Sequence, residues 1–122
     1  MLFRSAAAAP AALALIGKSY YQLARSQGPD STSATWWVHE AISFLTRARE
    51  AGARDEDLDH VLASAYVYSA LPAVRRGQAG LKDQEAGNAA AEHSLRAAIE
   101  LEPEGPASGL LVQLLQIGRA HV

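Results

Sequence analysis

Apolar and polar positions along this chain recur every three or four residues and never alternate over the length of a strand, so the pattern predicts only α-helix. The first predicted helix spans about residues 8–26, with Leu13, Ile16, Tyr20 and Leu23 on one face. Gly28-Pro29 stops it, and Asp30-Ser31-Thr32-Ser33 reads as a polar loop. The second runs from about Ala34 to Ala51, with Ser33 or Thr35 as its N-cap. Val38, Ile42, Leu45 and Ala48 form its stripe, and Gly52 sits where a C-terminal cap belongs. The third opens on Asp55-Glu56-Asp57, where the helix dipole favours negative charge, and carries Leu58, Leu62, Ala65, Tyr66 and Ser69 down one side. Pro72 lies inside this pattern. It lacks an amide donor and crowds the carbonyl four residues back, so a kink or an end is expected there. A loop containing Gly77 and Gly80 leads to a fourth helix, about Asp83 to Leu101, closed by Pro103. A fifth, short apolar helix follows from about Ala107 to Gln116.

The helices repeat in pairs. Ile16-Gly17-x-x-Tyr20 is followed by Ala41, Leu45 and Ala48; Leu62-Ala63-x-x-Tyr66 is followed by Ala91, Leu95 and Ala98. Ile16 to Leu62 and Tyr20 to Tyr66 are each 46 residues apart, while Ala41 to Ala91 and Leu45 to Leu95 are 50 apart. The difference of four falls in the loop within a pair, where repeat proteins absorb insertions. Small residues at Gly17, Ala41, Ala48, Ala63, Ala91 and Ala98 let helix backbones approach, and Tyr20, Leu45, Tyr66 and Leu95 fill the space between. The expected core is therefore Ile16, Tyr20, Ala41, Leu45, Ala48, Leu62, Tyr66, Ala91, Leu95 and Ala98. A repeated helix pair stacks on its neighbour, and the product is a surface for binding and not a reaction centre.

These signatures, with Ala91-x-x-x-Leu95-x-x-Ala98-x-x-x-x-Pro103, resemble the tetratricopeptide repeat over roughly residues 10–117. From Ala41, the spacing of that family lands on Leu62, Ala63 and Tyr66 without a gap. The chain departs from it in repeats longer than the usual 34 or so residues, and in Leu13 and Asp59 where the family has an opening tryptophan. Such lengths also suit HEAT or armadillo arrays. The resemblance implies an all-α fold in which antiparallel helix pairs stack as a short right-handed superhelix, an α–α solenoid. It divides the chain into repeats at about 8–53 and 56–103 with a partial third at 106–116, one domain over 1–116. It further implies that the first helix of each pair lines a concave surface, where Lys18, Tyr21, His60, Ser64 and Val67 share one groove. The Lys, Arg and Asn clamp with which family members grip a peptide's terminal carboxylate is absent from the matching positions Ala14, Leu15, Lys18 and Tyr21, and His60, Val61, Ser64 and Val67.

Composition narrows the partners. The chain has 122 residues, 49% of them hydrophobic, and a formal charge of −2, which suits one modest core. A near-neutral balance with pI ≈ 6.0 argues against a nucleic-acid surface. Arg47, Arg49, Arg54, Arg75 and Arg76 are interleaved with Glu50, Asp55 and Glu56, a mixed-charge solvated surface. With no cysteine there are no disulfides, thiolate nucleophiles or zinc–thiolate sites.

Candidate chemistry is sparse. His60 follows Glu56 by four residues and Asp57 by three, but a metal site needs at least one ligand more, so no metal and no cofactor are expected. His39-Glu40 and Glu92-His93 point in different directions on a helix, and Ser64 and Ser94 have no base within sequence reach. The expectation is that the chain is not an enzyme. Trp36-Trp37 diverge by about 100° on a helix. One is expected to pack on the first helix beside Leu23; the other either packs as well, through the end of the helix pair, or stands out as an aromatic anchor for a partner, the role given to Trp37.

Both ends bear on the reading. Met1-Leu2-Phe3-Arg4 followed by an alanine-rich run resembles a signal peptide faintly. That run continues straight into helical periodicity, which favours the cytoplasm slightly and leaves the compartment open. No apolar run reaches the roughly 18 residues of a membrane span. Ile117-Gly118-Arg119-Ala120-His121-Val122 matches what one reading frame of a common sequencing-library adapter encodes, so residues 117–122 are expected to be a non-native tail. The fifth helix, with Leu110, Leu111, Val112, Leu114 and Leu115, then opens a third pair and offers an apolar face for self-association. The function expected is a protein–protein interaction scaffold. The alternatives are a helical accessory or regulatory domain of a larger enzyme or transcriptional regulator, and a small helical ligand-binding or enzymatic bundle.

Overall fold

The computed structural model describes residues 8–78 and 85–120. These form five helices and no strand: α1 (Ala8–Gln27), α2 (Thr32–Glu50), α3 (Leu58–Gln78), α4 (Glu85–Leu101) and α5 (Ala107–Ala120). The signal-like start Met1–Arg4, Gly80, Asp83 and the last two residues lie outside the described residues.

Local chemistry sets the helix ends, in places other than the pattern predicts. The N-cap of α2 is Ser31, not Ser33 or Thr35: its Oγ accepts from the Ala34 amide at 3.1 Å, which draws Thr32 and Ser33 into the first turn. At the other end the cap is Ala51, and Gly52 follows in the left-handed region at φ 90°. The Ala53 amide donates to Ala48 O at 2.9 Å and the Gly52 amide to Arg49 O at 3.1 Å, the paired bonds of a Schellman ending. α3 does not end at Pro72 but runs through it and through Gly77 to Gln78. Ala70, Ala73 and Val74 flank the proline and are buried in one cluster with Leu95, Ala98, Ala107 and Leu111, so packing offsets the lost backbone bond. α5 likewise passes Gln116, where the pattern places its end, because nothing in Ile117–Ala120 breaks a helix as proline would.

Neighbouring helices run antiparallel. Gly17 meets Leu45 and Ala24 shares a cluster with Ala34, so rising numbers on α1 match falling numbers on α2. Backbones come close between α1 and α2, α2 and α3, α3 and α4, and α4 and α5, and more lightly between α1 and α3 and between α3 and α5. Among the described residues, α1 and α2 make no such approach to α4 or α5.

The core repeats with the sequence. Ala41, Leu45 and Ala48 are buried with Ala14, Leu58 and Leu62; Ala91, Leu95 and Ala98 are buried with Ala63, Ala70 and Ala73. Tyr66 is half-buried and packs against both clusters, joining them, while Tyr20 is half-buried against the first alone. Ile16 corrects the expected core, for it is 40% exposed where its counterpart Leu62 is buried. The reason is positional: a helix pair precedes α3 and covers Leu62, whereas no described element covers that side of α1. The face of α1 that packs on α2 carries Ala14, Gly17 and Ala24, and Leu23 stays exposed with Ile16.

A candidate groove along the third helix

α3 lines a half-open pocket of about 280 Å³ with His60, Ala63, Ser64, Val67, Tyr68 and Leu71. These residues recur at helical spacing, so one side of α3 becomes the floor. Tyr21 of α1 forms one wall; Ala98, Glu102 and the Gly105-Pro106-Ala107 entry to α5 form the other. Tyr21 and Tyr68 meet edge to face with centroids 6.1 Å apart, and Tyr68 donates its hydroxyl to Ala24 O at 3.0 Å. Burial holds the Tyr68 phenol above its usual pKa. Gly105 fits because a Cβ there would stand 3.0 Å from Glu102 Oε1, and its amide donates to Glu102 O at 3.0 Å.

The polar end of the groove is one pair. His60 Nδ1 lies 2.6 Å from Glu102 Oε2 across a gap of 42 residues in sequence. In the tautomer that donates Nδ1–H, the carboxylate orients the ring and leaves Nε2 with no intramolecular partner among the described residues. Ser64 stands one turn further along, yet no hydrogen bond joins its hydroxyl to His60. The pair therefore orients an imidazole and does not activate a serine.

Of the residues nominated from sequence, the structure brings Tyr21, His60, Ser64 and Val67 to this one groove. Lys18 and Trp37 are not brought there. Lys18 Nζ is taken up by Asp55 at 2.8 Å and Asp57 at 2.7 Å, which tie α1 to the loop entering α3. Trp37 lies three residues after Ala34 and four before Ala41, both buried, so it shares the inward face and packs, half-buried, against the cluster that Ala24, Ala34, Val38 and Ala65 form. The exposed member of the pair is Trp36, 56% open and edge-on to Tyr20 at 5.9 Å. Sequence reasoning missed Tyr68, Leu71 and, at the polar end of the groove, Glu102. Its only signal is a carboxylate just before the helix-ending proline, and nothing local links it to His60.

A second pocket, about 290 Å³, is lined by His39, Ile42, Tyr66, Ser69, Ala90, His93 and Ser94. Two imidazoles do not make a metal centre, and among the described residues no three His, Cys, Asp or Glu side chains group to hold a metal ion. No described helix is long and apolar enough to cross a membrane. Compared with protein-family models, with curated proteins and with solved structures, the chain matches none.

Proposed function

We propose that this chain is a tetratricopeptide-like interaction module: antiparallel helix pairs stacked as a short right-handed superhelix, holding a partner's peptide in the groove along α3. The observation that carries the reading is that Tyr21, His60, Ser64 and Val67, chosen by repeat position alone, line one half-open pocket. Backbone contacts that never reach beyond the second helix along the chain support it, since stacked pairs touch only their neighbours. So does the repetition of buried Ala41-Leu45-Ala48 as Ala91-Leu95-Ala98. An apolar floor with a single oriented polar pair suits recognition. The reading needs no catalytic step and no cofactor.

The test is to select peptides against the immobilised chain from a randomised library and map the best by amide NMR shifts. Shifts centred on Tyr21, His60, Ser64 and Val67, abolished by the groove-filling Ser64→Arg, are expected. No selected peptide, or shifts confined to another face, would overturn the proposal.

A second reading concerns α5. Val112 and Leu115 are 52% and 38% exposed, while Leu111 and Leu114 of the same helix are buried. That unfilled apolar side supports self-association through α5.

A further inference from the structure

Charge is unevenly spread along the groove. His60, Ser64, Val67 and Leu71 follow one another down α3, a floor about 16 Å long. At the His60 end stands Glu102, and the chain enters α3 there through Asp55-Glu56-Asp57. Asp55 and Asp57 share the one ammonium of Lys18, so these acids are incompletely neutralised. Glu102 Oε1 accepts no hydrogen bond among the described residues, its other oxygen being on His60. At the Leu71 end the sign reverses. Arg25 lies over the Tyr21 ring that walls the groove, 5.7 Å from its centroid. Arg75 follows Leu71 by one turn and, among the described residues, meets a carboxylate only at Asp30, 3.2 Å away. Between the two ends the floor is Ala63, Val67 and Leu71 with Ala98, beside the neutral hydroxyls of Ser64 and Tyr68, and it holds no charged group to compensate a buried charge.

We infer that the groove takes an extended peptide in one direction only: an apolar side chain over Val67, a Lys or Arg toward Glu102, and an Asp or Glu toward Arg25 and Arg75. The inference rests on the peptide-binding reading above and adds its chemistry and polarity. Glu102 Oε1 accepts from the incoming ammonium or guanidinium, and the two arginines receive the carboxylate. A floor of about 16 Å holds roughly five extended residues, so the two charges stand about four to six positions apart. A peptide laid the other way sets like charges against each other at both ends, which is what excludes it.

The test uses the full chain and a randomised dodecapeptide display library, followed by fluorescence anisotropy on the synthesised winners. A basic and an acidic position should be enriched on opposite sides of an apolar one, always in the same order. The winner with its two charged residues exchanged should bind about tenfold more weakly or worse, and affinity should fall as salt is raised. Glu102→Lys should abolish selection of the basic flank, and Arg25→Glu with Arg75→Glu that of the acidic flank, with helical circular dichroism unchanged. All three side chains reach the surface, so folding is not at stake in the comparison. Peptides enriched without a fixed order of charge, or selected equally by Glu102→Lys, would overturn this inference while leaving peptide binding intact. No enrichment at all would instead overturn the peptide-binding reading.

Discussion

Gly17 and Leu45 touch so closely that a Cβ on the glycine would stand 2.6 Å from Leu45 Cγ and 3.1 Å from the Leu45 amide nitrogen. The absent side chain is what lets α1 lie against α2 with Leu45 fully buried between them. Gly17→Ala should therefore destabilise the fold by about 1–3 kcal/mol, through overpacking, even though alanine is the better helix former. Leu45→Ala alone should cost about 2–5 kcal/mol. Combined, the two should cost less than their sum, because the alanine methyl then enters the space leucine leaves. Urea unfolding of the four proteins measures the coupling, and strict additivity would refute the contact.

Ile16 and Leu62 hold the same place in their repeats but not the same environment. Leu62 is buried beneath the first pair, and Ile16 is open on a face that no described element covers. Leu62→Ala should cost about 2–5 kcal/mol, whereas Ile16→Ala should stay below about 1 kcal/mol. Equal losses at the two positions would mean that something covers α1 in solution.

The Lys18 clamp should leave a signature in pH. Its bonds to Asp55 and then Asp57 hold Lys18 above the usual lysine range, and the bond from Lys18 holds Asp57 below the usual carboxylate range. The Asp57 contribution is present above the ordinary carboxylate pKa of 3.8 and is lost as pH falls through its lowered folded value. That of Lys18 is present below 10.5 and is lost as pH rises through its raised value. The loop should thus be tied to α1 between those limits and loosen outside them. Both ends are solvent-exposed, so the effect on global stability should be small. Carbon-detected NMR titration of the Asp57 carboxyl should give a midpoint below normal that climbs in Lys18→Met. An unchanged midpoint would show the pair unformed.

The repeat was legible because Ala41-Leu45-Ala48 and Ala91-Leu95-Ala98 carry small and large residues at the same spacing, and burial follows both copies. The orientation of α1 was not. Its largest apolar stripe, Ile16 with Leu23, is exposed, and the small Ala14, Gly17 and Ala24 make the contact. Period fixes which residues share a face but not which face has a neighbour. The groove was half legible for a related reason. Tyr21, His60, Ser64 and Val67 follow from repeat register, while the Glu102 partner of His60 arrives 42 residues later, just past the end of α4, and leaves no local trace. Which of Trp36 and Trp37 turns inward was not legible from the pair alone, because adjacent residues differ by about 100° and only the positions of Ala34 and Ala41 decide it.

α5 gives the last prediction. Leu111 and Leu114 are buried, Leu110 is partly covered, and Val112 and Leu115 remain open, so one helix carries more large apolar residues than its single packed side hides. On the same helix, Gly109 has open space where a Cβ would stand. No charge lies between Ala107 and Gln116 to oppose a second apolar helix there. Exposed apolar surface costs about 25 cal/mol per Å², which favours association as concentration rises. Sedimentation velocity of the chain should show dimers or larger species that dissociate on dilution. Val112→Gln with Leu115→Gln should return it to monomer without loss of helicity, whereas Trp36→Gln on the far side of the fold should leave association unchanged. A wild-type chain that stays monomeric at every concentration would count against the α5 face, and loss of association in Trp36→Gln would move the contact to α1 and α2.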